Sequence, residues 1–456
     1  MVAPSARATI PTMTPGRAAR PRPGVPASAL LTLLLSTVVA AACFPPMASP
    51  ASPSPSHAAS ASPSALAVSP SPSIASPASS LDPASVYAGI EPQVVAIRGL
   101  APKRNVHPKL LSTDQLKTHV AESFKKDNPP ALVAANEALL KGLGLFPADA
   151  SLGALYVELL GSQVAGFYSP DDKELYVVSR SGGIGPLERV TFAHEYTHAL
   201  QDQTYDLGKL HLDEVGQSDR GLARLALIEG DAVAVQSVWM QQNLSAAENV
   251  ALLQAALDPE ALKILERMPP ILRESLGFPY DAGLRFVLGL KAGGSHGVDA
   301  AFAKPPASTE QILHPEKYDA GEAPVAVDIP VDVATRMGSG WKSSLEDTFG
   351  EFQLGVWLRS ATDRAPIATA AAAGWGGDRI ELLTGPDQSW AIALVTEWDT
   401  VADAQEFADA AGIAVSKVGG VGTLASQPGS KRVTVMIGST PEVTTKLEAI
   451  LGNTGA

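Results

Sequence analysis

The chain has 456 residues, of which 45% are hydrophobic and 18% charged, enough apolar material for a sizeable core and too much for wholesale disorder. Lys and Arg number 34 against 47 Asp and Glu, a formal net charge of -13, so the basic footprint of a nucleic-acid-binding protein is missing. A single cysteine, Cys43, excludes a disulfide framework and any cysteine-rich metal site.

Residues 1–42 read as an export signal. Arg7, Arg17, Arg20 and Arg22 come with no acid, an apolar run follows from Ala29 to Val39, and Ala40-Ala41-Ala42 lead directly into Cys43. The run falls short of the roughly 20 apolar residues a spanning helix needs. The segment resembles a bacterial lipobox, with Ala40 where Leu is usual, and that resemblance implies cleavage before Cys43 and its acylation. An ordinary signal peptide with an incidental cysteine is the plainer alternative. Losing those arginines deepens the negative charge, so a lipidated Cys43 would be the membrane anchor with no polybasic help. Residues 43–84 are rich in Ala, Ser and Pro and carry almost no charge, a composition that gives an extended spacer and no core.

The folded part reads as α+β and mainly helical, with a domain over 85–335 and a small C-terminal α+β unit over 336–456. No Pro/Gly-rich linker separates the two, so the second could be an integral lobe of the first. Apolar residues at helical spacing predict helix from about Thr113 to Gly142, broken at Pro129-Pro130. Two β-rich runs between Gln163 and Val178 flank Ser169-Pro170-Asp171-Asp172, which predicts a hairpin. A helix follows from near Leu187 to about Gln203, another from about Asp219 to Asn243, and further helices over 245–265 and 279–292. Ser344-x-x-Asp347 has the form of a capping box opening a helix with Phe349, Phe352, Val356 and Trp357. Strands over Arg379–Leu383, Trp390–Val395 and Val433–Ile437, a helix over 401–411 and a final helix complete the pattern.

The chemistry concentrates in Thr191-Phe-Ala-His194-Glu195-Tyr-Thr-His198-Ala-Leu. Positions i and i+4 share a helix face, so His194 and His198 can point at one ion, while Glu195 sits about 100° around the helix, within reach of a water held there. This is the H-E-x-x-H pattern of zinc metallopeptidases, and zinc takes nitrogen and oxygen ligands in a tetrahedral set with one position open for catalysis. The apolar neighbours of the pair indicate a buried helix, on which two histidines and a glutamate are costly unless something satisfies them. The best-placed third ligand is Glu229, an acid with Leu225 and Ala226 one turn before it and Ala232 and Val233 one turn after. Gly230 beside it would let that helix pack closely on a neighbour. Asp231 competes, either as the ligand itself or as a partner that orients a histidine.

His194-Glu195-x-x-His198 followed by Glu229 on a second helix resembles the gluzincins. The phrases Ala-His-Glu-Tyr-Thr-His-Ala-Leu-Gln-Asp-Gln, Gly-Phe-Tyr before it and Glu-Gly-Asp-Ala after it are similar to a group of uncharacterised exported bacterial and haloarchaeal metallopeptidase-like proteins. That similarity extends through Phe278-Pro-Tyr, Ser308–Tyr318 and Gly374–Asp378. The resemblance implies a zincin-like domain, one zinc ion on His194, His198 and Glu229, and Glu195 as general base. The pattern departs from many gluzincins at Val233, where an Asp usually supports a histidine; Asp231 is the candidate to replace it.

The activity so expected is hydrolysis of peptide bonds in a peptide or protein substrate outside the cytoplasmic membrane. His314, Tyr318 and Tyr280, each in a polar, Pro-bounded segment, are candidate donors to the oxyanion. An edge strand at Val164–Phe167 or Leu175–Val178 could pair with the substrate backbone. His296, flanked by Gly and Ser, reads as a loop residue, and Asp202, Asp206, Asp213 and Glu214 as a solvated acidic loop. Two other functions stay open: a surface binding or assembly lipoprotein that holds zinc without cleaving, and a cell-wall hydrolase acting on a peptidoglycan stem peptide.

Overall fold

The computed structural model describes residues 82–163, 165–178, 184–257, 259–292, 296–362 and 364–452. The export signal, Cys43, nearly all of the spacer and Val164 lie outside them.

The first described helix, α1 (Pro83–Arg98), starts just before the expected boundary at residue 85 and stops at Gly99, whose φ of 79° supplies the left-handed turn. A short strand β1 (Pro108–Leu111) leads into α2 (Thr113–Asp127) and α3 (Pro130–Gly142), separated at the predicted Pro129-Pro130 break. After α4 (Leu152–Gln163) comes the expected hairpin of β2 (Gly166–Ser169) and β3 (Glu174–Val178). The small sheet runs β1-β3-β2, with β1 parallel and β2 antiparallel to β3. Leu175–Val178 is therefore the central strand and cannot be an open edge; β2 is the edge, because β1, unmarked in the sequence, covers the other side of β3.

Two helices carry the expected ligands. In α5 (Pro186–Tyr205), Pro186 sits in the first turn, where its missing N–H costs nothing, and Glu188 accepts from the Gly185 amide at 2.8 Å. In α6 (Ser218–Asn243), the first turn is pinned by Asp347, which accepts the Ser218 amide at 2.9 Å and its hydroxyl. The region 245–265 forms two helices, α7 (Ala246–Ala256) and α8 (Pro259–Arg267). The helix predicted from 279 begins at Pro270 and continues through Pro279 as α9 (Pro270–Ala292). It lies against α6 at a glycine contact. A Cβ on Gly230 would stand 2.2 Å from the Gly283 carbonyl oxygen, and one on Gly283 would stand 2.1 Å from that of Ala226. Helices α10 (His296–Ala303), α11 (Thr309–Leu313), α12 (Pro315–Ala320) and α13 (Val333–Arg336) follow, so His296 opens a helix.

The C-terminal part holds β4 (Lys342–Asp347), α14 (Gly350–Ser360), α15 (Ala365–Ala370), β5 (Trp375–Thr384), β6 (Trp390–Trp398), α16 (Val401–Ala414), β7 (Val421–Ser426), β8 (Arg432–Gly438) and α17 (Pro441–Leu451). Ser344 and Asp347 belong to a strand, not a capping box. Asp347 pairs with Ile380 of β5, Ser344 sits in a bulge with its hydroxyl on that of Thr384, the Asp347 carboxylate is engaged by Ser218, and the helix starts later, at Gly350. The antiparallel sheet runs β4-β5-β6-β8-β7. Alternate residues of β6 face opposite sides: Ile392 and Leu394 join the main core with Phe407 of α16, whereas Ala391, Ala393 and Val395 pack with Leu447 and Ile450 of α17.

The main core is continuous across both regions, joining Leu225 and Phe278 to Phe352, Trp357 and Leu382. A second cluster packs α1 and the hairpin on α5 through Tyr87, Tyr168, Phe192 and Tyr196. The chain is mixed α+β, mainly helical, as expected. Among the described residues no helix is long and apolar enough to cross a membrane.

Candidate metal centre

Helices α5 and α6 bring His194, His198 and Glu229 together, each at most 5% exposed. His194 Nε2 lies 3.1 Å from Glu229 Oε2, His198 Nε2 lies 3.4 Å from the same oxygen, and the two Nε2 atoms are 3.0 Å apart. A tetrahedral ion with bonds of about 2.0–2.1 Å sets its ligand atoms roughly 3.4 Å apart, so the triangle has the size of one face of such an ion's shell.

The far sides of the imidazoles fix which nitrogen faces inward. His194 Nδ1 is 2.8 Å from Gln236 Oε1, and His198 Nδ1 is 2.9 Å from Gln201 Oε1. Gln201 spends its amide N–H groups on the Ile228 carbonyl (3.1 Å) and Asp231 (3.0 Å), so its oxygen is what His198 meets, and His198 donates from Nδ1. With Gln236 accepting likewise from His194, two Nε2 lone pairs and a carboxylate converge on one point. Three acceptors at that spacing repel unless a cation or a proton sits among them. Without a metal, a proton serves: burial disfavours charge on His198, but Glu229 and Glu195 outweigh it and its pKa is pushed up to about 9. Burial pushes His194 the other way, and Glu229, despite burial, is held below the usual carboxylate range by the two rings. The donor set fits a divalent cation.

Glu195 is fully buried, and neither of its oxygens has a hydrogen-bond partner among the described residues. Burial drives its pKa well up, with His198 and the Tyr168 backbone pulling weakly against it and Glu229 adding to it. The Tyr168 amide faces this way because Ala165 and Ser169 give their carbonyls to Val178 and Lys173, which turns the alternate residues of β2 outward.

Asp231 is not a ligand. Its Oδ2 accepts from Gln201 and, at 2.6 Å, from Arg98 Nε, so it supports His198 at one remove. Tyr280, brought by α9, lies over His194 with ring centroids 6.3 Å apart and 27° between planes, and it alone of the three expected oxyanion donors meets the ligand set. His314 pairs with Glu351 at 2.9 Å, beside a separate polar cluster around Lys317, and the Tyr318 hydroxyl donates to the Lys304 carbonyl at 2.9 Å while its ring packs on Phe286. That cluster gathers Glu310, Glu322 and Asp399 around the Lys317 ammonium. Asp202, expected in a solvated loop, is 4% exposed on α5 and accepts from Tyr168, Lys173 and Arg104; Asp206, Asp213 and Glu214 are exposed as expected. Gln201, Gln236 and Arg98 were not signalled in the sequence. Gln201 lies one turn after His198 and Gln236 two turns after Glu229, spacings that put both on the ligands' side of their helices without marking them as partners.

A family described as a domain of unknown function (DUF8575) matches residues 336–442, which span β4 to the start of α17 and leave the metal centre outside. No curated protein and no solved structure matches the chain.

Proposed function

We propose that this protein is a zinc-dependent peptidase, exported and lipid-anchored through Cys43, with His194, His198 and Glu229 as ligands and Glu195 as general base. The observation that carries this reading is the unpartnered, buried carboxylate of Glu195 one residue from a ligand histidine. A structural metal site has no use for such a group, whereas proton transfer at neutral pH needs a carboxyl whose pKa is raised.

Zinc held by these three residues supplies Lewis acidity, polarising a carbonyl and acidifying a water. The chain does the rest. Gln201 and Gln236 hold the ligand rings in the tautomer that presents Nε2. Glu195 accepts the proton of the attacking water on its free carboxylate and returns it to the leaving amine. Tyr280 is the residue beside the ligands with a hydroxyl to offer the oxyanion. The outward edge of β2 offers main-chain groups to an extended peptide, which orients it without reading its side chains.

Glu195→Gln tests this. Peptide cleavage should fall by at least about 10²-fold, the scale of lost general-base catalysis, while zinc content stays near one ion per chain. Unchanged cleavage would remove Glu195 from the role. A second reading rests on the burial of the set: His194 has no exposed surface, and closed sites are typical of structural zinc. If the wild-type protein binds zinc yet cuts neither an unfolded-protein library nor muropeptides, a non-catalytic zinc-containing binding protein is the better description. Muropeptide cleavage alone would assign a cell-wall substrate.

A further inference from the structure

We propose that Arg98 is a positioning residue for the metal ligand His198, acting through Asp231 and Gln201. The inference rests on the metal-centre reading and reaches beyond it, because it makes the first helix of the folded body a determinant of the site.

Arg98 is the last residue of α1, and its guanidinium is buried, with a side-chain exposure of 4%. Nε donates to Asp231 Oδ2 at 2.6 Å, while Nη2 reaches Asp299 Oδ1 at 2.8 Å and the Tyr205 hydroxyl at 3.2 Å. Asp231 has no exposed side-chain surface, and its other nearby cation is Lys291, 3.6 Å away and on its second oxygen. A buried carboxylate needs hydrogen-bond partners to hold its place, and the 2.6 Å bond from Arg98 Nε fixes Asp231 in this orientation. Asp231 in turn takes one amide hydrogen of Gln201 at 3.0 Å, and the Ile228 carbonyl takes the other at 3.1 Å. With both hydrogens committed, the Gln201 oxygen has one place to point, the Nδ1–H of His198 at 2.9 Å.

The order of dependence runs one way. Without Arg98, Asp231 loses the donor that fixes its direction toward the Gln201 amide, Gln201 is free to turn its NH2 toward His198, and Nε2 then no longer presents a lone pair. His194 is held by a different group, Gln236, so the loss falls on one ligand of the three. Arg98 touches neither the ion nor a substrate; its effect is on the readiness of His198 to coordinate.

The test is zinc affinity of the full-length protein by chelator competition, together with the visible spectrum of the cobalt-substituted form, with circular dichroism to establish folding. Arg98→Met should weaken zinc roughly 10- to 100-fold, the usual cost of losing a group that orients a ligand, and alter the cobalt spectrum. Gln201→Met should do the same, and the Arg98→Met/Gln201→Met double variant should bind no more weakly than Gln201→Met alone. Equal affinity and an unchanged spectrum in folded Arg98→Met, or losses that simply add in the double variant, would overturn the proposal. Should Arg98→Met fail to fold, Arg98→Lys replaces it: it keeps the charge, lacks the fork that spans Asp231 and Asp299, and must show the same non-additivity with Gln201→Met. A wild-type protein that takes up neither zinc nor cobalt would overturn the metal centre and this proposal with it. Bound metal without peptidase activity would count against the proposed function alone.

Discussion

A buried carboxylate with no partner destabilises the fold that contains it, and Glu195 is in that position. Replacing it with an apolar side chain of similar length should relieve the strain. Glu195→Met is expected to raise the stability of the metal-free protein by about 1–2 kcal/mol, the scale of an unsatisfied buried polar group, as read from urea unfolding midpoints. A destabilised variant would mean that Glu195 has a partner of structural importance. His314 offers a second residue-scale outcome. Its hydrogen bond to Glu351 raises its pKa above 6.5 against the opposing effect of burial, and the charge of Glu351 adds to the rise. A histidine whose folded pKa is raised contributes stability that is complete below its unfolded pKa and lost as pH climbs through the folded value. The stability gap between wild type and His314→Gln should therefore be largest, about 1 kcal/mol, near pH 6. It should shrink through pH 7–8, measured by thermal unfolding across that range. A gap that widened with pH would reverse the assignment.

At this scale the sequence was most legible where chemistry imposes spacing. His194, Glu195 and His198 are tied by one helical turn, and Glu229 stands out because an acid inside an apolar stripe demands a reason. Gln201 and Gln236 were not legible, since a glutamine on a buried helix face looks the same whether it holds a ligand or caps a carbonyl. His314 and Tyr318 misled because a polar, Pro-bounded segment says that a side chain meets polar company without saying whose. His314 keeps company with Glu351, and Tyr318 with the Lys304 carbonyl.

Helices α6 and α9 meet backbone to backbone at Gly230 and Gly283, so the position of Glu229 depends on a contact in which no side chain can give. Gly283→Ala places a Cβ 2.1 Å from the Ala226 carbonyl oxygen and should cost about 1–3 kcal/mol as the helices part. Zinc affinity should fall with it. Gly289→Ala, on the same helix with nothing within 4 Å of the added Cβ, should be neutral or stabilising by up to about 1 kcal/mol. Denaturant midpoints and zinc titrations of the two variants check this; equal effects would mean the contact is slack. Long periodic helices and β5, β6 and β8 were readable as elements because their apolar pattern is regular. β1, β4 and β7 were not, being short or half-exposed, and β4 also carries a spacing that mimics a helix cap. What cancels that cap is Gly350, whose φ of 73° and close packing on Asp219 start the helix in a way no local propensity rule encodes.

Across the whole molecule, the buried core runs unbroken past the change of texture near residue 335. Phe278 of α9 and Phe352 of α14 pack at a tilt with ring centroids 4.2 Å apart, and Asp347 anchors the first turn of the helix that carries Glu229. Residues 82–335 expressed alone should then lack a cooperative unfolding transition and bind zinc poorly, with calorimetry and metal titration as the checks. A fragment that melts sharply and holds zinc would establish two independent units. The composition foresaw one sizeable core but not its reach, because which apolar faces meet is decided by tertiary contacts far apart in the chain.

The edge strand β2 is only four residues long, Gly166–Ser169, which is about 14 Å of backbone at the usual rise. A partner strand laid along it must surrender its own internal pairing over that span, so native domains are poor customers and slack loops or denatured chains good ones. Discrimination would then fall on conformational state rather than on residue type, making loss of structure in the target the feature that is sensed.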